Sequence, residues 1–257
     1  QEAFTSNMER TKAMLKNMEL NPMITLSDSL NKVLYNNHPL TVRMKAEDYD
    51  KVDYAKAMEM YKDRFADPNN FTFTFVGNID PETFKPLVEK YLASLKKNKR
   101  KEDWKNIGLA VNDDNYVTHY RKEMQDPKTS VYMIYNGDME YNLYNDIYME
   151  VLSDVLDIVY TKSIREEQGG TYGVGVMGQI NNRPEDNFMF YIVFDTNDEV
   201  YATLMDIAKA GLKDVAENGP RQEDLSKVLE NKLKKRVEEL QENRFWINTI
   251  VSAERDN

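Results

Sequence analysis

Ser163-Ile164-Arg165-Glu166-Glu167-Gln168-Gly169-Gly170-Thr171-Tyr172-Gly173-Val174-Gly175-Val176 joins one predicted helix to one predicted strand. Upstream, Leu143, Ile147, Val151, Val155, Ile158 and Val159 recur at helical spacing, which predicts a helix over 143–167. Gly169-Gly170 stops it, because glycine tolerates the left-handed conformation at a helix C-terminus. Residues 171–180 then read as a strand, with Tyr172, Val174 and Val176 on one face and Gly173 and Gly175 on the other. At 100° per residue, Arg165 stands about 320° round from Val151, hence about 40° from the apolar stripe. A guanidinium leaning that way needs a partner, since a buried unpaired charge is costly. Two readings fit. Arg165 and Tyr172 project into one groove, where the planar fork and a glycine-lined strand receive an extended peptide. Alternatively, Arg165 satisfies helix C-terminal carbonyls and Tyr172 packs in the strand. The run is not a phosphate loop, because its glycines follow a helix and no Lys-Ser/Thr comes after them.

Working outward, 130–136 and 188–194 read as strands, 198–216 as a helix, and 222–241 as a further helix after Asn218-Gly219-Pro220. Residues 116–122 are also expected to form a strand. In the first part, helices are expected over 5–19, 27–35 and 46–65. Residues 71–76, Phe-Thr-Phe-Thr-Phe-Val, alternate as a half-buried strand. Asp80-Pro81 then opens a helix running to about Leu95. Between the two parts, residues 96–105 carry six basic and two acidic side chains. That run reads as a solvated linker, with an anion-contact site as the alternative.

Shifted by 117 positions, residues 71–95 overlie 188–212 without a gap, with seven of 25 identities. Shared apolar patterning explains such a match, and so do tandem homologous α+β domains. On the second reading the parts are 1–95, a linker at 96–115, and 116–257, the first part being incomplete. Gln at position 1, and a helical pattern that reaches Asn257 without a stop signal, predict a piece of a longer polypeptide.

Composition narrows the chemistry. The chain has 257 residues, 41% apolar and 30% charged, with a formal net charge of −10. An acidic surface repels phosphate backbones, so nucleic acid is not expected as a partner. No apolar run approaches the roughly 20 residues of a membrane helix. The absence of cysteine removes thiolate nucleophiles and Cys-based zinc sites, but does not fix the compartment. His38 and His119 lie 81 positions apart, so they cannot form the paired helical ligands of a catalytic zinc site. They read as ordinary turn and strand residues. No metal ligands and no catalytic residues are expected within the chain.

The segment Ile164-Arg165-Glu166-Glu167…Gly170-Thr171-Tyr172-Gly173-Val174 resembles the Arg-Glu…Gly-Tyr motif in the C-terminal half of the insulinase/pitrilysin family of inverzincin peptidases. Arg and Tyr stand seven residues apart in both. Tyr61 to Phe65, followed by Asn70 to Asp80, resembles the strand that closes a domain in that family. Asn218-Gly219-Pro220 with Asp224-Leu225, and Asn243-Arg244-Phe245-Trp246, resemble the ends of its large four-domain bacterial members.

The resemblance implies tandem α+β domains of the metallopeptidase type, each a sheet packed on helices, with 1–95 ending a third domain and 116–257 forming a fourth. It implies a zinc endopeptidase that hydrolyses peptides in a closed chamber. Zinc would be held in an N-terminal half by H-x-x-E-H, whose Glu serves as general base. That motif is missing here. Arg165 and Tyr172 would bind substrate backbone and support the tetrahedral intermediate. The implied partners are a peptide and a zinc-bearing half or subunit, and the implied place is a bacterial periplasm or envelope. The alternative within the family is a catalytically dead scaffold subunit.

Overall fold

A computed structural model of the chain describes residues 2–96, 102–166, 168, 169, 171 and 173–256. The chain divides into two compact units, residues 1–112 with 242–257, and residues 113–241.

The second unit holds an antiparallel sheet. Thr129–Asp138 (β1), Val174–Asn181 (β2) and Asn187–Thr196 (β3) are ordered β1-β3-β2. Val131 faces Phe194 and Met133 faces Ile192 across one ladder; Val174 and Val176 face the same two residues across the other. One face therefore carries a continuous apolar layer. It is covered by Leu143–Tyr160 (α5) and Tyr201–Asn218 (α6), whose Leu156, Tyr160, Leu204 and Ala208 are buried with Phe190, Ile192 and Phe194. Gln222–Glu239 (α7) packs against α5, with Lys232 bonded to Glu150 and Asp154 at 3.1 and 2.9 Å. Gly178 lies where α5 crosses β2: an added Cβ would collide with Met149 and come within 2.8 Å of Ser153 Oγ.

The first unit is helical: Glu2–Met18 (α1), Pro22–Leu34 (α2), Tyr54–Phe65 (α3), Pro81–Tyr91 (α4) and Asn243–Asp256 (α8). Local chemistry sets the starts. Asn21, Asp53 and Asp80 each accept a hydrogen bond from an amide in the first turn, and prolines follow Asn21 and Asp80. His38 sits in the expected turn. Its Nδ1 accepts from the Leu40 amide and its Nε2 donates to the Ile107 carbonyl.

Several expectations are corrected. Residues 71–76 and 116–122 belong to no ladder among the described residues. Alternation specifies an extended chain, but a strand exists only when a neighbour takes up its amides and carbonyls. The helical half of the 117-residue match is present in both units, while its strand half is laddered only at β3. The expected helix over 46–65 splits into a 3₁₀ turn at Ala46–Lys51 and α3, because Asp53 caps a new start. The helix expected from 222 onwards ends at Glu239, and a separate helix follows at Asn243–Asp256. Of the basic run, residues 97–101 lie outside the described residues.

Candidate functional site

α5 does not end as an α-helix. Thr161–Glu166 forms a π turn, the i→i+5 geometry that recurs at functional positions. The wider turn changes which side chains face inward. Ile164 is fully buried and Arg165 is exposed. The expectation that Arg165 leans into the apolar side rested on regular α geometry and is corrected by this turn. The Arg165 guanidinium makes no hydrogen bond or ion pair among the described residues, so its fork is not spent on helix C-terminal carbonyls there.

The chain then reverses. The Gly169 amide bonds the Arg165 carbonyl at 3.1 Å, with Gly169 at φ +60°, a left-handed conformation that suits glycine. Thr171 ties down the start of the strand: its Oγ1 donates to the Gly173 carbonyl at 2.9 Å and accepts from the Gly173 amide at 3.2 Å. Tyr172 lies outside the described residues; its neighbours Thr171 and Gly173 stand at the entry to β2. Gly173 and Gly175 are exposed, and a Cβ at either would meet nothing within 4 Å.

Asp157 links helix to strand. Its carboxylate accepts a hydrogen bond from the Val176 amide, and burial is the main reason its pKa lies above the ordinary carboxylate value. β2 stands at the end of the strand order β1-β3-β2, so one of its edges is unpaired among the described residues. It packs against the π turn that carries the exposed Arg165.

α5, the π turn and the start of α7 border an open cleft of about 330 Å³ lined by Asp157, Thr161, Lys162, Glu166, Asp224 and Lys227. Asp224 is almost fully buried and paired with Arg221 at 2.7 Å. Sequence periodicity foresaw neither the π turn nor the Asp157–Val176 bond. A Thr-x-Ser-Ile-Arg stretch reads as ordinary helix, and a side-chain bond to a strand amide leaves no sequence mark. Among the described residues, no group of three or more His, Asp or Glu is placed to hold a metal, and no helix is long and apolar enough to cross a membrane.

Comparison with known proteins places the chain in a family. Residues 51–232 match the family model described as the peptidase M16 inactive domain. The chain is 25% identical over 260 residues to a zinc protease PQQL-like protein of Arabidopsis thaliana, covering 95% of this chain and 27% of that protein. It superposes on the periplasmic protease PqqL from Escherichia coli with a TM-score of 0.81 at 19% identity, covering 97% of this chain and 27% of that one. It also superposes on the first half of PqqL with a TM-score of 0.69 at 18% identity, covering 96% of this chain and 55% of that one. The chain thus spans about a quarter of the length of the full-length relatives it matches. The insulinase-type resemblance and the α+β peptidase fold hold, and the chain belongs to the peptidase M16 inactive domain family.

Proposed function

We propose that residues 1–257 are the non-zinc, substrate-binding C-terminal part of a zinc metalloendopeptidase that hydrolyses peptides in a closed chamber. In this reading 1–95 ends a third domain, 96–115 is a linker and 116–257 belongs to a fourth. The observation that carries it is Arg165: exposed, its guanidinium without a partner among the described residues, and held by a π turn that packs against β2, a strand with one edge unpaired there. A peptide carbonyl beside that edge would accept from the guanidinium, whose planar fork suits a main-chain acceptor. Tyr172, seven residues on, would donate to the oxygen that gains charge in the tetrahedral intermediate. Zinc-bound water chemistry would be supplied by an H-x-x-E-H half, or a partner subunit, outside this chain. A periplasmic or envelope setting is part of this reading, supported by the likeness to the periplasmic protease PqqL.

A catalytically inactive scaffold of the same family is the competing reading, since the matched model is that of the inactive domain. Steady-state kinetics on the full-length parent separate the two. A carbonyl gripped before and during reaction is uniform binding, so Arg165→Ala should raise KM with a smaller change in kcat. Loss of a charge-assisted bond of about 1.5–3 kcal/mol corresponds to roughly 10–100-fold in kcat/KM. Arg165→Lys should recover only part of this. An unchanged KM in Arg165→Ala would return this residue to a surface role, and a parent that cleaves no peptide would favour the scaffold.

A further inference from the structure

Asn112 reaches back across the first unit. Its side-chain Nδ2 donates to the Val33 carbonyl at 3.3 Å, and its amide donates to the Leu34 carbonyl at 2.6 Å. These are the last carbonyls of α2, which helix geometry leaves without intrahelical partners. Asn112 itself is only 7% exposed. A second tie lies earlier in the same segment, where His38 Nε2 donates to the Ile107 carbonyl at 3.2 Å. His38 is carried there by a reversal in which Asn36 and Asn37 stand at φ 49° and 56°, left-handed conformations that asparagine tolerates. A third, exposed tie joins Arg64 of α3 to Glu102 at 2.9 Å. Between these ties residues 102–108 are exposed throughout. The division between the two units falls directly after Asn112.

We infer that residues 102–112 form a releasable strap, clasped to the end of α2 by Asn112 and to the following turn by His38, which sets the length of free chain leading to the second unit. A segment held by a few hydrogen bonds, with little apolar burial between them, opens before the unit that it lies on unfolds. The exposed Arg64–Glu102 pair adds little to the closure. With the strap closed, the free chain begins at Asp113. With it open, the chain gains residues 102–112, up to roughly 36–40 Å of further reach. This inference does not depend on the role of Arg165.

Limited trypsin digestion of the full-length parent tests it, followed at Lys105 within the strap and at Lys32 within α2. Digestion is run where closing outpaces cleavage, so that the rate reports the open fraction. Asn112→Ala and His38→Ala each remove one tie, so each should speed cleavage after Lys105 about five-fold. Both ties close the same strap, so the double variant should be cleaved there about 25-fold faster. Cleavage after Lys32 and the melting temperature should stay as in the wild type. Unchanged cleavage after Lys105 in the double variant would overturn the proposal. So would a double variant no faster than either single one, because the two ties would then not hold one strap. Equal acceleration at Lys32, or a lowered melting temperature, would also overturn it and leave Asn112 as a cap of α2 alone.

Discussion

The carboxylate of Asp157, in α5, accepts a hydrogen bond from the amide of Val176, in β2. This bond fixes the helix that carries Arg165 to the strand that begins just after Tyr172. Asp157→Ala should orphan the amide and destabilise the second unit by roughly 1–2 kcal/mol. Chemical denaturation read at the aromatic residues of the sheet checks this. Asp157→Asn keeps an acceptor and should cost less than Asp157→Ala.

Two aspartates should respond to pH in opposite senses. Burial, opposed by the Val176 bond, leaves Asp157 above the ordinary carboxylate value. Its added stability is present below the unfolded value of about 3.9 and is lost as pH rises through its folded value. Burial also pushes Asp195 up, but bonds from Lys128 and Ser130 outweigh it and leave Asp195 below the ordinary value. Its contribution is present above about 3.9 and is lost as pH falls through its folded value. Removing Asp195 with Asn should therefore cost stability at neutral pH and nothing at the acid end. A cost that persists undiminished at low pH would show that its hydrogen bonds do not depend on charge.

Gly178 and Gly175 offer a matched pair. A methyl at Gly178 would collide with Met149 and crowd Ser153 Oγ, which is itself bonded to the Met149 carbonyl at 2.8 Å. Gly178→Ala should cost about 1–3 kcal/mol through this overpacking. Gly175 has open space, so Gly175→Ala should be near neutral or slightly stabilising. Thermal unfolding of both variants decides whether α5 rests on β2 as closely as described.

Tyr160 joins α5 to α6. Its ring is fully buried and its hydroxyl donates to the Ala208 carbonyl at 2.8 Å. Tyr160→Phe should cost about 1 kcal/mol, the net value of one such bond. Tyr160→Ala should cost about 3–5 kcal/mol, because a ring-sized cavity opens beneath the π turn. A Tyr160→Phe variant as unstable as Tyr160→Ala would mean that the hydroxyl, not the ring, holds the two helices.

Much of the second unit was legible because pattern and environment coincide there. Residues 188–194 are apolar throughout, and β3 is the central strand, paired on both sides and buried. Asp80-Pro81 marks a helix start through local chemistry that needs no tertiary partner. Asn21-Pro22 reads as the stop of the first helix, yet Asn21 also caps α2, which starts at Pro22 and not near Ser27. Residues 71–76 misled because alternation records a preference that only a neighbouring strand can satisfy. Around the candidate site, the helix, the glycine reversal and the strand were each readable, but the orientation of Arg165 was not. That orientation turns on the single π turn at Thr161–Glu166, which moves Ile164 into the core and Arg165 out of it.

Steady-state peptide hydrolysis by the full-length parent carrying Tyr172→Phe, with zinc content measured in the same preparations, tests the substrate-binding reading most directly. Removing one preorganised donor to a developing oxyanion should lower kcat by roughly 10²–10³, about 2.7–4 kcal/mol. On that reading the metal is held outside this chain, so zinc content should match the wild-type parent. Wild-type kcat in Tyr172→Phe, or zinc lost in step with activity, would contradict the account.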